Sequence, residues 1–248
     1  MILSAVIITR NEQDNIQESI ESVRFTEEII VVDNNSKDNT VAVAQSLGAK
    51  VYKVKGLDFS YLRNYAKSKA SGKWLLYIDA DERISFSLAQ EIQRVISSKK
   101  HVAYRIKRKN FFLGVEWPGN EYMIRLIYKS ALVGWYGLLH ETPQIAGSIG
   151  SLTGTMYHYS HKYLASMVEK TNEWSEIESL LRYRNGHPIV SWWRIMRVMV
   201  TSFFKSYIRD FGWKAGKVGL IESMYQSFSM FLTYAKLWEK QNYFQVKR

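Results

Sequence analysis

Three of the first four apolar runs in this chain stop on a cluster of polar residues, and that rhythm narrows the possible folds sharply. SAVIIT (4–9), EIIVVD (28–33), AKVYKV (49–54) and WLLYID (74–79) read as strands. Between them, IQESIESV (16–23), TVAVAQSL (40–47) and the stretch at about 60–71 carry helical spacing. A further helix at about 87–98 starts near Ser87, a favourable N-cap. Strands separated by helices of about ten residues are βαβ units, which predict an α/β fold with a mainly parallel sheet, right-handed crossovers and flanking helices. Ligands of such sheets bind in the crevice beyond the carboxyl ends of the strands. Thr9, Arg10, Asn11 and Glu12 fall there, as do Asp33 and Asn35, and Asp79 through Glu82. One such cluster is ordinary turn chemistry. Three on one edge mark a candidate site.

Past residue 100 the pattern changes. HVAYRIKRK (101–109) and MIRLIYK (123–129) read as strands, with Gly and Pro punctuation in FLGVEWPGNEY between them. A helical period returns from Tyr163 to Asn185, NGHP (185–188) is a turn, and helices at about 189–209 and 216–240 fill the remainder. The expected division is an α/β domain at 1–160 and a C-terminal helical extension at 161–248.

WLLYIDADER (74–83) brings Asp79, Asp81 and Glu82 to the end of a buried strand, with Ala80 between the first two. Like charges so close raise each other's pKa unless something cationic lies between them. Water, an arginine or a metal could answer. Carboxylate oxygens suit Mg2+ or Mn2+, and a Mg2+ site is commonly completed by substrate phosphates. Capping of the next segment by Asp81 and Glu82 is the alternative. Neither G-x-G-x-x-G nor G-x-x-x-x-G-K-[ST] occurs, so dinucleotide binding and P-loop hydrolysis lose support. The chain has no cysteine, which excludes disulfides, thiolate metal sites and a cysteine nucleophile. The start, MILSAVIITRNE, lacks a basic n-region and a small-residue cleavage site, so it reads as a first strand, with no signal peptide expected.

TRNE (9–12), VVDNNSKDNT (31–40), YLRNYA (61–66) and LLYIDADER (75–83) together resemble the nucleotide-sugar half of inverting family 2 glycosyltransferases of the GT-A fold. WYGLLHETP (135–143), HYSHKYLASMVEKTNEWS (158–175), FFKSYIRDFGWKAGKVGLIESM and YAKLWEK resemble one branch, the bacterial lipopolysaccharide-core β-1,4-glucosyltransferase-like enzymes. The resemblance covers nearly the whole chain. It implies a Rossmann-like sheet and a nucleoside-diphosphate sugar donor, UDP-linked. Thr9, Arg10, Asn11 and Glu12 would embrace the nucleotide, and Asp33 with Asn35 would meet base or ribose. Arg63 and Asn64 would close over the base and diphosphate, beside Asp79 and Ala80. Asp79 and Asp81 would form the metal-diphosphate motif, with Asp81 the more direct ligand. His158, after the strand-like GTMY, is a candidate third metal ligand or diphosphate contact; a structural histidine is the other reading, and His161 three residues later competes for the role.

An inverting transfer needs a base to take the acceptor proton. Glu141 in LHETP is the first candidate and Glu121 the alternate, with His140 orienting acceptor or base. A loop salt bridge or a cap before Pro143 is the other reading of Glu141. Pairing with Arg125 is the other reading of Glu121. One departure is Ala215 in GWKAG (212–216), where related enzymes carry Asp. A nucleotidyltransferase acting on a sugar phosphate would show a Gly-rich basic loop after the first strand, where this chain has TRNEQDN. A noncatalytic membrane- or nucleic-acid-binding module on a degenerate transferase would not need the acids at 79, 81 and 141.

The formal net charge is +11, and ten Lys/Arg against three Asp/Glu from His187 onward supply +7 of it. No segment reaches the roughly 18 uninterrupted apolar residues of a membrane span. IVSWWRIMRVMVTSFFKSYI (189–208) comes nearest and is broken by Arg194, Arg197 and Lys205. On a helix, Trp193, Arg197, Thr201, Lys205 and Arg209 share one stripe, with Ile195, Val198, Met199, Ser202 and Phe203 on its apolar flank. Basic residues beside Trp and Phe suit an anionic membrane surface; an ordinary packing helix with a solvated basic side is the rival reading. No nucleic-acid motif accompanies the charge, so nucleic acid is not expected as a partner. The expected setting is cytoplasmic, peripheral at the inner face of the cytoplasmic membrane, with a glycan or lipid-linked acceptor.

Overall fold

The computed structural model describes residues 2–56, 59–98, 100–137 and 141–243. The chain folds as two compact units, Met1–Lys109 with Asn120–His158, and Asn110–Gly119 with Tyr159–Arg248. The second unit takes in residues 110–119, a stretch that the expected division at residue 160 assigned to the first part.

In the first unit, β1 (Leu3–Thr9), β2 (Glu28–Asp33), β3 (Lys50–Lys53) and β4 (Trp74–Asp79) form a parallel set in the order β3-β2-β1-β4. Helices α1 (Ile16–Ser22), α2 (Thr40–Ser46) and α3 (Phe59–Lys69) make the crossovers. Every residue of β1 is buried, as a strand covered on both faces requires. Its period-2 alternation divides the core. Leu3, Ala5 and Ile7 pack with Ile16, Ile20 and α4 (Phe86–Ser98), whereas Val6 and Ile8 pack with Leu62 and Ala66 of α3. Fully burying each such Ile or Leu contributes roughly 1.5–3 kcal/mol.

Beyond β4 the sheet becomes antiparallel. Its order continues β4-β7-β6-β10-β5, through β5 (Glu82–Ile84), β6 (Ala103–Phe112), β7 (Val115–Tyr128) and β10 (Ile149–His161). A separate hairpin pairs β8 (Leu132–Tyr136) with β9 (Thr142–Ile145). The sequence pattern predicted neither β5 nor this hairpin, and it read FLGVEWPGNEY as punctuation. Only Leu113 and Gly114 turn, both at positive φ (48° and 80°), and β7 then runs through Pro118. Two adjacent left-handed residues match the twist of a tight hairpin, and Phe112 packs edge-on to Trp117 across it, 5.2 Å apart.

At the amino edge, Glu28 ties four segments together. Its carboxylate accepts from Ser4 Oγ (2.6 Å), Lys50 Nζ (2.7 Å) and Ser71 N (2.8 Å). Burial opposes ionisation of this group, but Lys50, Ser4 and Ser71 outweigh it and pull the pKa down to about 2.

The second unit is mainly helical: α5 (Leu164–Arg184), α6 (Trp192–Phe204), a π-helical turn over Lys205–Arg209, and α7 (Gly216–Tyr243). Val190, Val198, Tyr234 and Leu237 form its small core. A Cβ on Gly219 would lie 1.7 Å from the Gly212 carbonyl oxygen, so GWKAGKVG closes backbone on backbone. Among the described residues, no helix is long and apolar enough to cross a membrane.

Candidate active site

Strand register puts the three polar clusters on one edge. Thr9 lies opposite Asp33 across β1–β2, and Ile8 lies opposite Asp79 across β1–β4. The carboxyl ends of three adjacent parallel strands therefore lie on one edge of the sheet, as the βαβ reading required.

The first two loops are sewn to each other. Asn11 and Asn35 both adopt left-handed conformations (φ 53° and 58°), which Asn tolerates better than most residues. Asn11 N donates to Ser36 Oγ, and Lys37 N donates to Asn11 Oδ1, each at 2.8 Å. Glu12 N donates to Thr40 Oγ1 (2.8 Å), while the Glu12 carboxylate accepts from Asn15 (2.7 Å). Asp33 is buried and caps its own turn, accepting from Ser36 N at 3.1 Å and from the Ser36 hydroxyl. Arg10 and Asn35 are exposed beside these turns. Thr9 is buried, and its Oγ1 has no hydrogen-bond partner among the described residues.

The acids after β4 meet arginines. Asp79 Oδ1 accepts from Arg63 Nη2 at 2.8 Å, and Oδ2 accepts from Arg125 Nη2 at 2.7 Å. Burial raises the Asp79 pKa, but Arg125 and Arg63 more than reverse this and hold it well below the carboxylate range. Burial likewise works against charge on Arg125, and Asp79 with Glu82 overcomes it. Glu82 is fully buried. It accepts from Arg108 Nη1 (2.8 Å), Arg125 Nη2 (3.2 Å) and the Asp79 backbone N (2.8 Å). Arg108 also pairs with Glu121, the alternate base candidate, for which a pair with Arg125 was the other reading. Ala80 is buried, with its carbonyl accepting from Arg83 Nη1 at 3.0 Å.

Glu141 joins the other end of this network. Asn64 Nδ2 donates to the Trp135 carbonyl and Trp135 N donates to Asn64 Oδ1, both at 2.9 Å. That amide, expected over the nucleotide base, thus clasps β8 to α3. Lys67 Nζ reaches the Leu132 carbonyl beside it. With the hairpin anchored, Glu141 at the start of β9 accepts from Arg63 Nε at 2.8 Å. The result is an alternating series, Glu141–Arg63–Asp79–Arg125–Glu82–Arg108–Glu121, in which every guanidinium has two carboxylates. The Arg63 guanidinium carbon stands 4.9 Å from the Trp135 ring centroid, and its Nη1 is buried without a partner among the described residues. His140, expected to orient acceptor or base, lies outside the described residues.

Asp81 and His158 come together at the far side, Oδ2 to Nε2 at 3.4 Å, because β10 pairs with β5 and sets His158 opposite Glu82. Burial disfavours imidazolium, but Asp81 raises the His158 pKa on balance. No three His, Asp or Glu converge on a metal-binding point among the described residues. The Asp81–His158 pair fits two positions of a divalent cation site, one oxygen and one nitrogen. Asp79, expected as a ligand, has both oxygens on guanidiniums in this structure.

Arg125, Arg108 and Trp135 escaped the sequence reading as site residues. A lone Arg inside the apolar strand MIRLIYK was the available signal, since a charge there must find a buried partner.

A parallel sheet that gathers carboxylates and arginines at its carboxyl edge, continued by antiparallel strands and C-terminal helices, is the GT-A architecture. The chain belongs to glycosyl transferase family 2, whose family model matches residues 4–160. An uncharacterised glycosyltransferase of Rickettsia typhi is 32% identical, over 96% of this chain and 87% of the relative. The lipopolysaccharide core biosynthesis glycosyltransferase LpsC of Rhizobium meliloti is 27% identical, over 96% of this chain and 92% of that one. Among solved structures, Staphylococcus aureus TarS 1–349 in complex with UDP-GlcNAc shares the fold at a TM-score of 0.51, with 15% identity over 99% of this chain and 92% of TarS 1–349. The protein is therefore a glycosyltransferase, which sets aside the nucleotidyltransferase and noncatalytic readings.

Proposed function

We propose that this enzyme transfers glucose or a related hexose, with inversion, from a UDP-linked donor to a cell-envelope glycan or lipid-linked acceptor, using Mg2+ or Mn2+. The Arg63 node carries the reading. One buried guanidinium joins the first acid of Asp79-Ala80-Asp81 to Glu141 and, among the described residues, keeps an N–H without a protein partner. A diphosphate oxygen would satisfy that donor, as a polar ligand group would the Thr9 hydroxyl. The name of the Rhizobium relative supports the envelope acceptor.

In this reading Glu141 takes the proton of the acceptor hydroxyl while that oxygen bonds to the anomeric carbon. The bond from that carbon to the diphosphate oxygen breaks, and the nucleoside diphosphate leaves with the electron pair. Asp81 and His158 would hold the cation, which supplies charge to offset that of the departing diphosphate. Asp79 positions Arg63 and Arg125. Residues 1–160 would form the catalytic domain and 161–248 a region in peripheral contact with an anionic membrane, at the cytoplasmic face.

A panel of UDP-, GDP-, ADP- and dTDP-sugars, scored by metal-dependent donor hydrolysis and thermal shift, tests this. A UDP-hexose should raise Tm and be hydrolysed, with both effects lost in excess chelator. Absence of any shift with every nucleotide sugar would refute the donor assignment.

A further inference from the structure

We propose that the outward face of α6, with the turn that follows it, docks this protein on an anionic lipid bilayer. The inference deepens the reading above, and it rests on that reading for the membrane being where the acceptor is met.

At about 100° per residue, α6 divides into three sectors. Ile195 and Val198 pack into the helical core, and Ser202 Oγ donates to the Gln226 carbonyl of α7. The next sector, about 120° wide, holds Trp192, Met196, Val200, Trp193 and Phe204, which are 75%, 48%, 49%, 62% and 57% exposed. Arg197, Thr201 and Lys205 follow on the third, also exposed. The sequence reading grouped Trp193 with the basic stripe of Arg197, Thr201 and Lys205; the exposed apolar sector to which Trp193 belongs emerges only once burial is known. Five large apolar side chains on the outer arc of one helix exceed the scattered exposure that packing leaves behind.

The following turn repeats the chemistry. Phe211 and Trp213 are about half exposed, and Lys214 Nζ lies 4.7 Å and 5.4 Å from their ring centroids. Phe211 holds a left-handed conformation (φ 60°), an uncommon state for an aromatic residue.

Charge identifies the occupant. Between Trp192 and Lys217 there are six Lys/Arg and one Asp. A second copy seated on this face would bring two basic flanks together. A nucleic acid would satisfy the cations but leave Met196 and Val200 in water. An anionic bilayer accepts both, with apolar side chains at the acyl boundary and cations among the headgroups.

Vesicle co-sedimentation of the full chain tests the assignment, comparing phosphatidylcholine vesicles with vesicles containing phosphatidylglycerol. Wild type should bind the anionic vesicles at least tenfold more tightly. Val200→Asp/Phe204→Asp and, separately, Arg197→Glu/Lys205→Glu should each weaken that binding at least tenfold. Far-UV melting and the UDP-hexose thermal shift should remain those of wild type, which separates lost docking from lost folding. Docking is overturned by no preference of wild type for anionic vesicles, or by binding that neither variant alters. Light scattering that shows a dimer dissolved by Val200→Asp/Phe204→Asp would also overturn it, assigning the face to a second copy. A missing UDP-hexose shift with intact vesicle binding would remove the donor reading and leave docking standing.

Discussion

Arg63 donates to Glu141 at 2.8 Å across 78 positions of sequence, and the same guanidinium donates to Asp79 at 2.8 Å. A helix residue, a strand end and a hairpin base are thereby fixed against one another. The Arg63 side chain is only 2% exposed, whereas that of Asp79 is 29% exposed, so solvent reaches these pairs from the carboxylate side alone.

Replacing Glu141 with Gln should lower kcat by about 10²–10⁴-fold, the usual worth of a general base, with donor Kd little changed. Glu121→Gln should cost far less, because Glu121 is half exposed and pairs with Arg108 at the end of the network. Steady-state kinetics with donor titration check both. The reverse ranking would move the base to Glu121.

Arg63→Met should destabilise the fold by about 3 kcal/mol, because it leaves Glu141 and one oxygen of Asp79 without their buried counter-charge. Urea unfolding measures this. Asp79 retains Arg125, so the first unit should still fold.

Asn64→Ala distinguishes a clasp from a nucleotide contact. Loss of two hydrogen bonds to the Trp135 backbone should cost about 1–3 kcal/mol of stability. Donor affinity should follow the loosened hairpin rather than fall outright, which isothermal titration at a temperature well below Tm will show.

Asp81→Ala should abolish the extra thermal shift that Mn2+ adds to that of UDP, while the metal-free melting temperature stays near that of wild type. An undiminished Mn2+ increment would detach the cation from Asp81.

Acid should weaken the amino edge of the sheet through Glu28. Its folded pKa of about 2 lies below the ordinary value of 4.5, so the carboxylate stabilises the fold above 4.5 and loses that contribution as pH falls toward 2. By pH 3 the loss should be on the order of 2 kcal/mol. Urea midpoints at pH 6 and pH 3 give the difference, and Glu28→Gln should flatten it.

Much of this was legible in the chain itself. Continuous apolar runs ending at Thr9, Asp33 and Asp79 announced a parallel sheet with a polar carboxyl edge, because such runs and βαβ spacing are local properties. The strand β5 was hidden because three residues, Glu-Arg-Ile, carry no period. The β8–β9 hairpin was hidden because its anchor is the side chain of Asn64, about seventy residues earlier.

The cation between the acids of WLLYIDADER marks the boundary between the two kinds of knowledge. Local pattern determined that Asp79 would reach the ligand edge and that so many neighbouring charges would need a partner. Only tertiary structure decided that Asp79 meets Arg63 and Arg125 while Asp81 meets His158. The physical reason is range. Strand and helix periods are written in neighbours along the chain, whereas a buried charge is stabilised by whatever the fold carries within about 4 Å of it, however distant in sequence.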